Sequence, residues 1–254
     1  MTYFIINSPL APVHKKHEFQ SEMVSQALLG ETCILLKSQE SWKYIQQHDG
    51  YEGWVHSFYG IESVKPYEAT HFFFELMGCT EHVKERRKIV YGSKLELMNN
   101  GKVIFPDGWV GSAPNGLRSA SFKASRKNLL KEGRRFLGVP YLWGGKSPLG
   151  IDCSGLVQTI FQSVGIDLPR DAWQQEEYFR DHKISLDSVK PGDILFFGRN
   201  KKITHTALSS GGSNFLHSQG WVKEESLDKF QANFNEECFQ IFKFSGSVEH
   251  LIIT

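Results

Sequence analysis

Over the first 65 residues the apolar positions come in short runs separated by turn residues. Phe4-Ile5-Ile6, Cys33-Ile34-Leu35-Leu36, Trp42-Lys43-Tyr44-Ile45 and Gly53-Trp54-Val55 have strand length and strand composition. Asn7-Ser8-Pro9, Leu29-Gly30-Glu31 and Asp49-Gly50 punctuate them. The pattern predicts a small all-β barrel over residues 1–65. A weaker copy follows over residues 66–117. Tyr91-Gly92-Ser93 and Leu95-Glu96-Leu97 echo Leu29-Gly30-Glu31 and Ile34-Leu35-Leu36, and Gly108-Trp109-Val110 echoes Gly53-Trp54-Val55. The shorter interval in the second copy predicts a clipped hairpin. Ala113-Pro114-Asn115-Gly116 reads as a linker.

After the linker the period changes. Leu129, Leu130, Phe136 and Leu137 fall on one side of a helix over Ser125–Phe136, with Arg126, Lys127, Lys131, Arg134 and Arg135 expected on a solvated face. Leu156, Val157, Ile160, Phe161 and Val164 mark a second helix, which starts at Cys153 and ends near Gly165. A third runs from Asp171 to about Phe179. Strands are then expected at Ile194–Phe197, Thr204–Leu208 and Phe215–Ser218, the last two joined as a hairpin by Ser209-Ser210-Gly211-Gly212. Phe239–Phe244 and Val248–Ile253 complete the strands. A helix followed by an antiparallel sheet gives an α+β layout for residues 123–254.

The stretch between the first two helices carries the chemistry. Val139–Gln175 begins with a loop rich in glycine that holds Tyr141 and Trp143, and it places Cys153 in the first turn of a helix facing the core. Unpaired N–H groups and the positive dipole end of that turn stabilise an anion, so a lowered thiol pKa is expected. These features favour a nucleophile over a packing cysteine. A nucleophilic thiol needs a base and a group that orients the base. His205 and His217 lie on the two strands of the hairpin, where one sheet face can bring them together. If that sheet packs on the Cys153 helix, His205 serves as base and His217 holds its tautomer.

Composition narrows the partners. The chain has 254 residues, is 40% hydrophobic and 22% charged, and carries a net charge of +1. Charge therefore points to neither nucleic acid nor an anionic membrane. No signal peptide is read at the N-terminus, and no apolar run reaches the ~20 residues of a membrane span. A cytoplasmic protein is the expectation. Cys33, Cys79, Cys153 and Cys238 include no C-x-x-C pair, so neither a metal site nor a disulfide framework is expected, and no cofactor. Cys33, Cys79 and Cys238 are expected to pack as small hydrophobes.

Pro-Tyr-x-Trp-Gly-Gly at 140–145, Asp-Cys-Ser-Gly-Leu-Val at 152–157, Leu-Pro-Arg-Asp at 168–171 and Pro-Gly-Asp-Ile-Leu-Phe-Phe at 191–197 resemble the NlpC-type cysteine peptidases. So do Thr-His-Thr-Ala around His205 and Leu-His-Ser around His217. The two Gly-Trp-Val copies resemble bacterial SH3-like domains. The resemblance implies a papain-like catalytic domain behind two SH3-like barrels, and a thiol protease with Cys153 as nucleophile, His205 as base and His217 as third polar residue. It implies oxyanion donation by the Cys153 N–H and Tyr141, and a cleft shaped by Trp143. The full layout resembles the murein-peptide recycling enzymes. That implies hydrolysis of γ-D-glutamyl-diaminopimelate or -lysine bonds in peptidoglycan stem peptides with a free N-terminal L-alanine. The partner is then the murein tripeptide or a longer stem peptide, and the enzyme a monomer.

By the same resemblance Asp171 contacts the substrate amine with Arg170 beside it, and Asp152 and Ser154 line the substrate side. Position 172 is alanine where many relatives have a hydroxyl residue. Glu52, Tyr44 or Tyr59 of the first barrel adds to the amine pocket, with no choice among them. Two rival functions share the fold. One is a cell-wall-peptide binding module, which the intact Cys153, His205 and His217 disfavour. The other is an amidase or acyltransferase.

Overall fold

The computed structural model describes residues 1–200 and 202–252. The chain divides into two compact units, Met1–Ser121 with Trp143–Pro148, and Phe122–Leu142 with Leu149 onward.

The first unit is built of strands. Seven of them form one sheet in the order Met23–Leu28, Leu10–His14, Glu52–His56, Trp42–Gln46, Thr32–Gln39, Tyr3–Ile6 and Gly60–Ser63. Alternation puts Phe4, Ile6, Val13, Cys33, Ile45 and Val55 into its core. Five further strands, between His71 and Arg118, form a second sheet, and Met77–His82 pairs with Glu85–Val90 as a separate hairpin. The hairpin made by Thr32–Gln39 and Trp42–Gln46 in the first copy has the shorter strands Lys94–Leu97 and Lys102–Ile104 as its counterpart in the second. Leu29, from the first copy, is buried with Phe73, Ile89 and Leu95 in the core of the second. Gly30 makes the approach possible. Its φ is +78°, and a Cβ there would lie 2.0 Å from the Lys94 carbonyl oxygen.

Trp54 is nearly buried against Tyr44, and Trp109 packs edge-on to Phe105 while its indole donates to Glu85 at 2.7 Å. Cys79 departs from the expected packing role: it is half-buried and takes a guanidinium contact from Arg86 at 2.9 Å.

The second unit packs helices on a six-stranded antiparallel sheet. Its order is Lys183–Ile184, Phe242–Gly246, Ile194–Arg199, Lys202–Gly211, Asn214–Gln219 and Trp221–Ser226. The helices are α1 (Arg126–Arg134), α2 (Cys153–Ser163), α3 (Ala172–Tyr178) and α4 (Glu236–Ile241). α2 is buried at every position but Gln162, and Asp152 caps it by accepting the Gly155 N–H at 2.7 Å. Gly133 lets α1 come close, because a Cβ there would lie 2.8 Å from Leu216 and 3.0 Å from Ile160. The opposite sheet face buries Leu195, Phe197, Ala207, Phe215, Leu227 and Cys238.

Three expectations are corrected here. Residues 236–241 are helical, not the start of a strand. Asn235 caps that helix on the Cys238 N–H at 2.8 Å, and Glu236 and Glu237 favour its first turn. Residues 249–251 form a turn rather than a strand, and Ile253 of that expected strand lies outside the described residues. Arg126 is not a solvated face residue: it donates to Asp193 at 2.9 Å, to the Pro191 carbonyl at 2.8 Å and to Glu249 at 2.7 Å.

Candidate active site

Cys153 opens α2, directly after the capping Asp152. Its thiol is reached by the backbone N–H groups of Ser154 and Thr206, so it lies against the strand Lys202–Gly211 one residue from His205. Burial, and then the Asp152 carboxylate, push that thiol up to about 12; the two N–H donors and Arg170 only offset this. The lowered pKa expected from the helix terminus is therefore corrected. Desolvation outweighs the favourable dipole. The resting group is a neutral thiol.

His205 and His217 come together as expected. His205 Nε2 lies 2.8 Å from His217 Nδ1, and His217 Nε2 lies 2.8 Å from Glu225 Oε2. Glu225 stands on Trp221–Ser226, a strand absent from the expected elements. Burial works to raise its pKa, but hydrogen bonds from His217, Asn235 and Lys223 outweigh it and hold the carboxyl down at about 2. Burial, and then the neighbouring His217 ring, depress His205 to about 3; burial also lowers His217. Both rings are neutral at pH 7.

This chain fixes the tautomers. Ionised Glu225 only accepts, so His217 carries its proton on Nε2. His217 Nδ1 is then a lone pair, and His205 must donate to it from Nε2. His205 Nδ1 is left with a lone pair, which is the form a general base needs.

Tyr141 is held on its backbone by Gly220, whose carbonyl accepts its N–H at 2.8 Å, and bridges to Ile151. Burial raises its phenol, the Asp152 carboxylate adds to this, and so would Cys153 when ionised, so the hydroxyl stays protonated and can donate.

The remaining expected residues fall differently. Arg170 is 2% exposed and gives its guanidinium to Asp152 at 2.6 and 3.0 Å and to Ser154 Oγ at 3.1 Å. Asp152 and Ser154 are buried as well. This trio braces the start of α2 instead of lining an open wall. Asp171 caps α3 in a reciprocal box with Gln174 and accepts the Trp173 indole N–H at 3.3 Å. Trp143 belongs to the first unit, where it is exposed and donates to Glu22 at 3.0 Å. Glu52 accepts from Gln46 at 3.0 Å and bonds to Tyr44, and Tyr59 packs on the core of the first barrel.

The ligating atoms of His205, His217 and Cys238 lie within 4.8 Å of one another. Two imidazoles and a thiol form a donor set that zinc accepts. Cys238, however, belongs to the apolar cluster with Phe197 and Phe215. Burial, then Glu225 and Glu237, push its thiol up to about 12, so a metal would have to displace a firmly held proton.

Residues 138–240 match the NlpC/P60 family, and residues 13–57 match the bacterial dipeptidyl-peptidase SH3 domain. The chain carries an NlpC/P60 cysteine peptidase domain. It is 29% identical over 220 residues to the γ-D-glutamyl-L-lysine dipeptidyl-peptidase of Bacillus subtilis, an alignment that covers 76% of this chain and 71% of that protein. A Bacillus cereus protein of the same name is 25% identical, with 78% of this chain and 68% of that protein covered. The crystal structure of an NlpC/P60 family protein from Bacillus cereus shares the fold, with a TM-score of 0.84 at 18% identity over 96% of this chain and 99% of that one. No helix among the described residues is long and apolar enough to cross a membrane.

Proposed function

We propose that this chain is a cysteine endopeptidase that hydrolyses the bond between γ-D-glutamate and the following diaminopimelate or lysine in peptidoglycan stem peptides with a free N-terminal L-alanine. It acts as a monomer on the murein tripeptide or longer stem peptides in cytoplasmic cell-wall peptide recycling. Residues 1–65 and 66–117 are two SH3-like domains ahead of the catalytic domain at 123–254. The observation that carries the reading is the hydrogen-bonded line His205–His217–Glu225, which leaves a basic nitrogen on His205 next to the Thr206 amide that reaches Cys153. The names of the two Bacillus relatives support the bond type.

The chemistry follows from these groups. The Cys153 sulfur attacks the γ-carbonyl carbon of D-glutamate as its proton passes to His205 Nδ1. A thiol and an imidazole that both resist charge make this transfer concerted with attack. The Cys153 N–H at the helix start and the Tyr141 hydroxyl donate to the developing oxyanion. Collapse breaks the C–N bond, and His205 returns the proton to the leaving amine of the diamino acid. Water, deprotonated by His205, then attacks the thioester carbon. The thiolate leaves, takes the proton back from His205, and the γ-carboxyl of L-Ala-D-Glu is released.

Asp171 is the partner for the substrate ammonium, since a carboxylate meets an ammonium with a charge-assisted hydrogen bond. The test is a pair of assays on L-Ala-γ-D-Glu-L-Lys and its diaminopimelate counterpart, each with free and N-acetylated alanine. Release of L-Ala-γ-D-Glu from the free peptides only is expected. Equal rates on acetylated and free peptides would eliminate the amine requirement.

A further inference from the structure

We infer that Glu225 is a positioning residue for the thiol chemistry: it fixes the proton arrangement of both histidines and supplies the negative charge that His205 needs on becoming an imidazolium. The inference rests on the reading of Cys153 as nucleophile and His205 as base.

Three observations carry it. The carboxylate lies in line behind the histidine pair, with its Oε2 2.8 Å from His217 Nε2. It is itself held from two sides, by Lys223 Nζ at 2.9 Å and by the Asn235 amide. Asn235 also caps α4, so its side chain is tied at both ends. A surface acid placed there for solubility would need no such support.

Among the described residues, titratable and charged groups meet His217 from two sides. Its own sheet contributes His205, Lys223 and Glu225. The α4 side contributes Asn235, Cys238 and, near Cys238, Glu237. Glu225 is the anion bonded directly to the ring, and Lys223 is the cation that tempers it. The two act on His205 in opposite directions: the carboxylate favours the imidazolium and the ammonium opposes it. During attack the proton that leaves the thiol charges His205, and the charge is stabilised through His217 without Glu225 taking up a proton. Glu225→Gln keeps a carbonyl that accepts the His217 Nε2 proton but removes the charge. Glu225→Ala removes both. Lys223→Met removes the opposing charge. Geometry and charge therefore separate.

The experiment uses the full chain as wild type, Glu225→Gln, Glu225→Ala, Lys223→Met and Cys153→Ser. It measures kcat and KM on L-Ala-γ-D-Glu-L-Lys from pH 2 to 9. In parallel, mass spectrometry follows alkylation of Cys153 by iodoacetamide, which needs no substrate. Expected is a kcat about tenfold lower for Glu225→Gln and about a hundredfold lower for Glu225→Ala, with KM unchanged and alkylation slowed in the same order. The acid limb of the pH profile should move to lower pH in Glu225→Gln and to higher pH in Lys223→Met. A merely structural acid would not shift the limb in opposite directions for these two variants. Matching pH limbs and alkylation rates in wild type, Glu225→Gln and Lys223→Met overturn the inference while leaving Cys153 as nucleophile. Wild-type turnover by Cys153→Ser overturns the reading beneath it.

Discussion

Removing the guanidinium of Arg170 should unfasten the start of α2. Asp152 and Arg170 are both buried, with side-chain exposures of 9% and 1%, and they bond at 2.6 and 3.0 Å. Arg170→Met preserves much of the apolar stem but leaves the Asp152 carboxylate buried without its counter-charge. Breaking a buried pair from one side costs about 3–5 kcal/mol. Asp152 keeps the Gly155 N–H at 2.7 Å, which places the expected loss toward the lower end of that range. Asp152→Asn in the same background removes the stranded charge and should restore about 2 kcal/mol, a coupling that only neighbouring groups show. Hydrogen exchange on peptides from α2, with the two single variants and the double variant, reads this unit by itself. A second effect runs through the thiol. Asp152 raises the Cys153 pKa and Arg170 lowers it, so Arg170→Met should slow alkylation of Cys153 and Asp152→Asn should hasten it. Protection of α2 in Arg170→Met within about 1 kcal/mol of wild type would refute the reasoning, since it would mean the pair contributes less than an exposed one.

Stability should fall continuously with acid. His205 is depressed from its ordinary value to about 3, so the unfolded chain binds its proton first, and the stability from this group is complete above pH 6.5 and is lost toward pH 3. Glu225, held at about 2, contributes stability above pH 4.5 that is lost as pH falls toward 2. Urea unfolding at pH 7, 6 and 5 should show a downward slope that His205→Gln flattens; an unchanged slope speaks against a neutral buried His205. Gly30→Ala should cost far more than Gly50→Ala. Both glycines have positive φ, but a Cβ at Gly30 meets the Lys94 carbonyl at 2.0 Å and one at Gly50 meets nothing within 4 Å. Thermal melts should fall by about 10 °C for the first and by a few degrees for the second, and equal shifts would argue against the close approach.

The thiol helix and the histidine hairpin were legible because local signals agree there. Asp152, a capping residue, precedes a helix-period run that begins at Cys153, and two β runs flank a Gly-Gly turn. Glu225 was not legible: Lys223-Glu224-Glu225 reads as a solvated charge run, and only the pairing of Trp221–Ser226 with Asn214–Gln219 sets one of those acids behind His217. The start of α4 carried a usable signal in Asn235-Glu236-Glu237, a cap followed by acids. The apolar run Phe239-Gln240-Ile241-Phe242-Lys243-Phe244 outweighs it in a strand reading. Burial of the thiol depends on long-range packing, so helix position alone gave the wrong direction for its pKa. Arg170 illustrates the same limit. Its neighbour Asp171 sits at a helix cap, but nothing in the sequence shows that the guanidinium turns inward to Asp152, 18 residues earlier.

The most direct measurement is mass-spectrometric analysis of free L-Ala-γ-D-Glu-L-Lys and its diaminopimelate counterpart after incubation with the wild-type chain and with Cys153→Ser. The expected result is L-Ala-γ-D-Glu and the free diamino acid from the wild type on at least one of the two peptides, with no product from Cys153→Ser. Cleavage by Cys153→Ser at the wild-type rate, or intact peptides with the folded wild type, contradicts it.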